Sequence, residues 1–349
     1  MRILVIGGTS FIGPHVVNQL VRMDHEVVVY HRGETNTDFP KSVRHILGDR
    51  KNMQQFTEEY SRFSPDVVID MIPSTEKDAE LLIETFKGIT PRVIAISSQD
   101  VYRAYGLVNQ FETGELEHVP ITENSKLRNK LYPYQDSTKE GEDWCNNYDK
   151  ILVERMVLET SAFAGTVLRL PAVYGPRDNQ HRFFSYLNLM RIKDDRPYII
   201  MDESFANWHW THSYVENVAH SIVTATINSN SSGKVYNVGE PVTPSMKDFV
   251  KEIGAILNWD GEIILLPSIN LPEQLQFPLD TTQQLIVDSG KIREDLGYQE
   301  ILSRNEALVR TIEWEIQNMP YDLDSRYNYN EEDEVLKKIG LLFKEGYCL

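Results

Sequence analysis

Cysteine is nearly absent from this 349-residue chain, cations are in the minority, and no long apolar run occurs. Each shortage excludes something. The two cysteines, Cys145 and Cys348, lie far apart, which leaves no disulfide framework and points to a reducing compartment. Lysine and arginine total 35 against 52 acidic residues, a formal charge of −17. Sequence-independent nucleic-acid surfaces need clustered cations to displace counterions, so nucleic acid is a disfavoured partner, although a local basic groove is compatible with this balance. No stretch approaches the ~18 apolar residues of a membrane span, and no basic n-region precedes the first strand. The expected location is therefore cytoplasmic, with no membrane partner. Asn230-Ser231-Ser232 has the form of a glycosylation sequon but reads as a loop in such a chain. His209 and His212 have no third ligand in register, so no metal is expected. The length exceeds one compact core and predicts a large domain with a smaller companion.

What is present begins at Met1. Residues 2–6 form a short apolar run rich in β-branched side chains and without helical period, which suits a strand buried on both faces. Gly7 and Gly8 can make a tight turn, and Phe11, Ile12, Val16, Val17 and Leu20 recur at helical spacing behind it. Unpaired amides and the dipole at such a helix start favour a pyrophosphate.

Strand-like runs recur at 26–30, 43–47, 67–69, 92–96 and 166–170, with helical patterns at 52–60, 75–86 and 140–160 between them. Regular alternation predicts an α/β fold, a doubly wound, Rossmann-like parallel sheet, with a smaller C-terminal substrate domain. We assign 1–175 to the dinucleotide-binding domain, rejoined by about 213–240, and 176–212 with 241–349 to the smaller lobe and tail. Ligands of open α/β sheets sit beyond the strands' carboxyl ends, which sets Ile72 and Pro73 along the cofactor. After the second strand, an NAD site normally carries an acid for the ribose hydroxyl; His31 and Arg32 stand there instead. That favours NADP over NAD, with the permanently charged Arg32 as the phosphate ligand; the alternative is a solvated loop residue. The polar segment 104–134, ending in Tyr132-Pro133-Tyr134, is long enough to wall a substrate cleft. The helix opened by His181, Arg182, Phe183, Phe184 and Tyr186 suits the base and diphosphate of a nucleotide sugar. For the phenylalanines the plain core reading is preferred; for Arg182 the ligand reading. The tail from Tyr321 is acidic, then amphipathic at Val335, Ile339, Leu342 and Phe343, to pack on its own domain or on a partner; a homo-oligomer is compatible with it.

The stretch Val5 to Gly13 resembles the G-x-x-G-x-x-G fingerprint of the short-chain dehydrogenase/reductase superfamily in its extended, epimerase/dehydratase form. Ser10 occupies the place of the middle glycine. The resemblance implies cofactor contacts from Gly7, Thr9, Ser10, Phe11, Ile12 and Gly13, with Asp49 at the adenine and Arg50 beside it. Ser97 to Tyr102 resembles the family's S-S-x-x-V-Y stretch, in which Ser98 would bind the reacting oxygen and Tyr102 the substrate. Asp100 matches an acidic position of some dehydratases, although Gln99 replaces the other acid of their pair; a turn or cap role is the alternative. Arg169 to Pro176 is similar to R-x-x-x-V-Y-G-P, which puts Pro171 and Val173 beside the nicotinamide. Ser213 to Ala219 and Tyr236-Asn237-Val238-Gly239 continue the likeness. Tyr134, Arg182 and His212 complete the substrate-binding candidates.

Lys150 and Glu154 match the family's catalytic lysine and the glutamate that follows it, but Asn146 stands where its tyrosine belongs. An amide supplies no proton near neutral pH. Tyr148 is two residues from Lys150, about 200° round a regular helix and so on the opposite side. Three readings stay open: Tyr148 or Tyr134 replaces the phenol, Asp100 replaces it, or the chain binds a dinucleotide without turnover. His31-Arg32-Gly33, Gly48-Asp49-Arg50 and Ser98 to Tyr102 most resemble an atypical branch that includes chloroplast stem-loop RNA-binding proteins. Across Met1 to Gly239 the resemblance implies an NAD(P)-dependent epimerase, dehydratase or reductase acting on a nucleotide sugar or related carbonyl or hydroxyl substrate. The alternative is a non-catalytic or regulatory dinucleotide-binding protein, with RNA binding as one form of that role.

Overall fold

The structure is a computed structural model that describes residues 1–35, 37–135, 143–191, 197–320 and 329–340. Strands β1 (Arg2–Ile6), β2 (Glu26–His31), β3 (Arg44–Leu47), β4 (Val67–Asp70), β5 (Arg92–Ser98) and β6 (Ala164–Leu170) alternate with helices α1 (Ile12–Arg22), α2 (Thr57–Phe63), α3 (Glu76–Phe86), α4 (Arg103–Val108) and α5 (Lys150–Glu159). The chain continues through β7 (Ala172–Tyr174), α6 (Phe184–Arg191), β8 (Tyr198–Asp202), α7 (Glu203–Ala206), β9 (His212–Tyr214), α8 (Val215–Ile227) and β10 (Val235–Asn237). It ends in α9 (Met246–Ile256), β11 (Glu262–Leu266), α10 (Gly290–Leu296), α11 (Arg304–Gln317) and α12 (Tyr329–Lys338). One seven-stranded sheet runs in the order β10-β6-β5-β4-β1-β2-β3, every pairing parallel. Two short parallel pairs, β7 with β9 and β8 with β11, lie outside it.

Alternation along β1 shows why the sheet is covered on both faces. Ile3 and Val5 enter one core with Val16 and Leu20 of α1 and Ile222 of α8. Leu4 and Ile6 enter the other with Leu82 and Phe86 of α3 and Val153 and Val157 of α5. A strand apolar at four successive positions, Ile3 to Ile6, is what a doubly wound sheet requires. Its strands' carboxyl ends therefore gather Gly7, Asp70, Ser98 and Leu170 along one edge. Helix α3 starts on a capping box, Thr75 receiving the Asp78 amide while the Asp78 carboxylate receives that of Thr75.

Two helical expectations change. The span 52–60 divides into a 3-10 segment, Arg50–Phe56, and α2. The long helix expected from residue 140 begins only at Lys150, after a 3-10 turn at Asp143–Asn147; residues 140–142 lie outside the described residues. Asp149 stops it. Its backbone is extended, with φ −159°, and its carboxylate caps the Ile151 amide. The tail helix α12 packs Val335 and Leu336 onto Ile200 and Leu271 of the same chain; Ile339 is exposed, while Leu342, Phe343 and Cys348 lie outside the described residues. Among the described residues no helix is long and apolar enough to cross a membrane.

Candidate functional site

A cavity of about 430 Å³ opens beyond the carboxyl ends of β1, β2 and β4. It gathers Gly7 to Gly13, His31, Arg32, Asp49, Arg50 and Ile72. Its floor depends on missing side chains. Gly7 has φ +93°, and a Cβ on Gly13 would lie 2.5 Å from the Gly8 backbone, so helix and strand approach where only glycine fits. No side chain caps α1 and no acid lies in its first turn, which leaves the helix's positive end facing the cavity. Ser10 is exposed there, its carbonyl receiving the Gly13 amide at 2.9 Å. The Thr37 hydroxyl ties down the Thr9 carbonyl at 2.7 Å. A glycine cradle with an uncapped helix start fits a dinucleotide pyrophosphate.

At the far end, Arg32 is exposed and lies 2.9 Å from the Glu34 carboxylate. His31 is less available than expected. Its Nδ1 accepts from the Gly33 amide at 3.1 Å and its Nε2 lies 2.8 Å from His45 Nδ1; burial, with His45 adding to it, holds the imidazole below its ordinary value and so neutral. Asp49 caps the Lys51 amide at 2.8 Å. Arg50, expected as a ligand cation, lines the cavity with its charge already engaged. Its guanidinium grips both oxygens of Asp70, at 2.7 and 2.6 Å, and Asp78 at 2.9 Å, so it is a cavity wall already neutralised by protein carboxylates. The sequence signal for this clamp was Asp70, an acid closing an otherwise apolar strand.

The chemical end lies between β5 and α5. Ser98 stands at the close of β5, its Oγ accepting the Asp100 amide at 3.2 Å. Tyr148 donates its hydroxyl to Asp100 Oδ2 at 2.8 Å, and Tyr134 reaches the same oxygen at 3.5 Å. Because Tyr148 precedes α5 and pairs as an isolated bridge with Thr75, the helical-wheel expectation that set it opposite Lys150 does not apply. Asn146 stays in the 3-10 turn, not one helical turn below Lys150. The Lys150 ammonium lies 6.0 Å from the Tyr148 ring centre and donates to the carbonyls of Pro73, at 2.6 Å, and Ile96, at 3.0 Å. Burial lowers it to about 8, with Asp100 opposing that shift. Burial likewise raises the Asp100 carboxyl, against the pull of Arg128 and the Tyr148 hydrogen bond. Asp100 Oδ1 is buried without a hydrogen-bond partner among the described residues. Glu154 serves the scaffold, taking the Ser97 hydroxyl at 2.5 Å and Arg169 at 2.7 Å.

The other expected substrate contacts have protein partners of their own. Tyr102 is fully buried, its hydroxyl donating to Asn237 at 2.6 Å and accepting from Arg169 at 2.9 Å, which makes it a core residue instead of a cleft wall. His212 is buried against Tyr174, Phe183 and Phe249; burial drops it to about 3 and keeps it neutral. Arg182 donates to the Val173 carbonyl at 3.0 Å and lies 3.4 Å from Asp178. Pro171, just past β6, is partly exposed, and Val173, in β7, is buried. Phe183 and Phe184 are core. Among the described residues, no group of three or more potential ligands could hold a metal ion.

The model of the NAD dependent epimerase/dehydratase family matches residues 3–239. A dTDP-glucose 4,6-dehydratase of Salmonella typhimurium is 21% identical over 91% of this chain and 93% of its own. The chloroplast stem-loop binding protein of 41 kDa b of Arabidopsis thaliana is 22% identical over 68% of this chain and 58% of its own. The crystal structure of UDP-glucuronic acid 4-epimerase from Bacillus cereus, in complex with UDP-glucuronic acid and NAD, aligns with a TM-score of 0.64 at 19% identity, covering 91% of this chain and 99% of that one. These likenesses agree with the doubly wound fold.

Proposed function

Because this chain belongs to the NAD dependent epimerase/dehydratase family, we propose that it is a nicotinamide-dinucleotide enzyme that remodels the sugar of a nucleotide sugar, with Tyr148 and Asp100 moving the proton. The loop from Gly7 to Gly13 would hold the pyrophosphate, Asp49 and Ile72 the adenosine, and Lys150, Pro171 and Val173 the nicotinamide end. Arg32 would take a 2′-phosphate, which favours NADP over NAD. A bound nicotinamide supplies a reversible hydride acceptor for ring oxidation. A phenol both donates and accepts hydrogen bonds, so Tyr148 takes the proton of a substrate hydroxyl as it passes its own to Asp100 Oδ2. Lys150 supplies positive charge beside the ring, and Ser98 orients the substrate oxygen. The described residues within 176–212 and 241–349 would make up the smaller lobe that receives the nucleotide sugar.

The observation that carries this is the 2.8 Å bond from Tyr148 to Asp100 beside the buried Lys150. It is tested by incubating the purified chain with UDP- and dTDP-linked hexoses and NAD or NADP, and separating the products by chromatography. Turnover that disappears in Tyr148→Phe and Asp100→Asn supports the reading; undiminished turnover in both refutes it. The Arabidopsis likeness motivates a second reading, RNA stem-loop binding. Salt-dependent retention of a stem-loop RNA, without sugar turnover, is the result that would favour it.

A further inference from the structure

We propose that Arg128 is a positioning residue for the Tyr148–Asp100 pair, holding Asp100 by its backbone carbonyl and setting a guanidinium charge beside that acid; the proposal rests on the proton-transfer reading above. Residues 127–132 strap the end of β5 to the start of α5. Leu127 bridges to Tyr102, and the Arg128 amide donates to the Val101 carbonyl at 2.8 Å. The Arg128 side chain is almost wholly buried. Its Nε donates to the Asp100 carbonyl and its Nη1 to that of Lys130, both at 2.5 Å. Its Nη2 lies 3.6 Å from Asp149 Oδ1 and has no hydrogen-bond partner among the described residues. Asp149 caps α5 with Oδ1 and receives the Tyr132 amide on Oδ2 at 2.8 Å. One guanidinium thus touches the backbone of the acid and the residue between the phenol and the ammonium. From the other side, Glu112 holds the strap by the Asn129 and Lys130 amides, at 2.5 and 2.9 Å.

The charge of Arg128 matters as much as its grip. Asp100 is faced by the phenols of Tyr148, Tyr134 and Tyr105, by the ammonium of Lys150 and by the carboxylate of Asp149. Its burial favours a neutral acid, which accepts no proton. Arg128 is the foremost influence opposing that, ahead of Tyr148 and Lys150. A strap that was only structural would leave the ionisation of Asp100 unmoved.

The test is a titration of the full chain carrying ¹³C at the aspartate carboxyl carbons, read by NMR, with Asp100 assigned by its loss in Asp100→Asn. Arg128→Gln raises the Asp100 midpoint by about one pH unit or more, as expected for removing a nearby cation. Arg128→Lys keeps it near its original position, and Asp149→Asn, which leaves Arg128 intact and removes a negative neighbour, lowers it. Circular dichroism checks the fold of each variant. An unmoved midpoint in Arg128→Gln overturns the proposal; should that variant fail to fold, an unmoved midpoint in Arg128→Met, which keeps the aliphatic stem and removes the charge, does so. The titration needs no substrate. Sugar turnover that survives Asp100→Asn overturns the proton-transfer reading, whereas an unmoved midpoint overturns only the part given to Arg128.

Discussion

Tyr148 donates its hydroxyl to Asp100 Oδ2 across 2.8 Å, and the other oxygen of that carboxyl is buried without a partner among the described residues. Burial and the neighbouring carboxylate push the Tyr148 phenol well above its ordinary value. The phenol alone is a poor base at neutral pH. Joined, phenol and carboxylate offer a path in which the phenol hands on one proton as it receives another.

Tyr148→Phe keeps the ring and deletes that path. We expect kcat to fall by about 10²- to 10⁴-fold with KM little changed, the span typical of lost general acid–base catalysis. Tyr134→Phe, whose hydroxyl stands 3.5 Å from the same oxygen, costs about tenfold or less. Steady-state turnover of whichever nucleotide sugar reacts in the panel decides between them.

Lys150 sets a pH limit. Its ammonium, lowered to about 8 by burial, loses its proton as the pH rises through that value, so turnover that uses the cation declines on the alkaline side. Stability moves the other way. Between about 8 and the ordinary 10.5 the unfolded chain binds a proton that the folded chain does not, so this group's contribution to stability grows with pH across that window and is lost as pH falls through about 8. Lys150→Met removes both trends, as rate profiles and thermal melts from pH 7 to 10 would record.

Asp70→Asn takes one carboxylate from the buried Arg50 and leaves a guanidinium short of counter-charge. Breaking a buried pair from one side typically costs about 3–5 kcal/mol. Urea unfolding should show a lower midpoint with an unchanged slope. A loss below about 1 kcal/mol would mean that Asp78 alone satisfies Arg50.

Arg32→Ala should weaken NADP binding about tenfold, the scale of one charge-assisted hydrogen bond, and leave NAD unaffected. Glu34→Ala frees Arg32 from its 2.9 Å partner and should tighten NADP. Calorimetric titrations of both dinucleotides measure the pair of effects, and tighter binding of NAD than NADP by the unaltered chain removes this assignment.

What was legible in the sequence was local. The apolar run of β1, the glycines behind it and the helical repeat of α1 lie within about twenty residues, and strand alternation with helices dictates a covered parallel sheet. The start of α5 was not legible, because an aspartate stops a helix only where its carboxylate finds amides, and one of those belongs to Tyr132. Tyr102 belongs to a motif that pointed to substrate, yet its hydroxyl meets Asn237, 135 residues away. Arg50 likewise finds its carboxylates 20 and 28 residues downstream. Pairings of that reach arise only when the sheet assembles, and no spacing rule anticipates them.

The Arg50 clamp also bears on how a nucleotide arrives. With β4 and α3 pinned to one guanidinium, the socket at that end of the cavity stands finished before any visitor enters. Docking there consumes little ordering entropy, so arrival is governed by encounter, and whatever rearrangement accompanies binding is left to the opposite end, beside Tyr148 and Asp100.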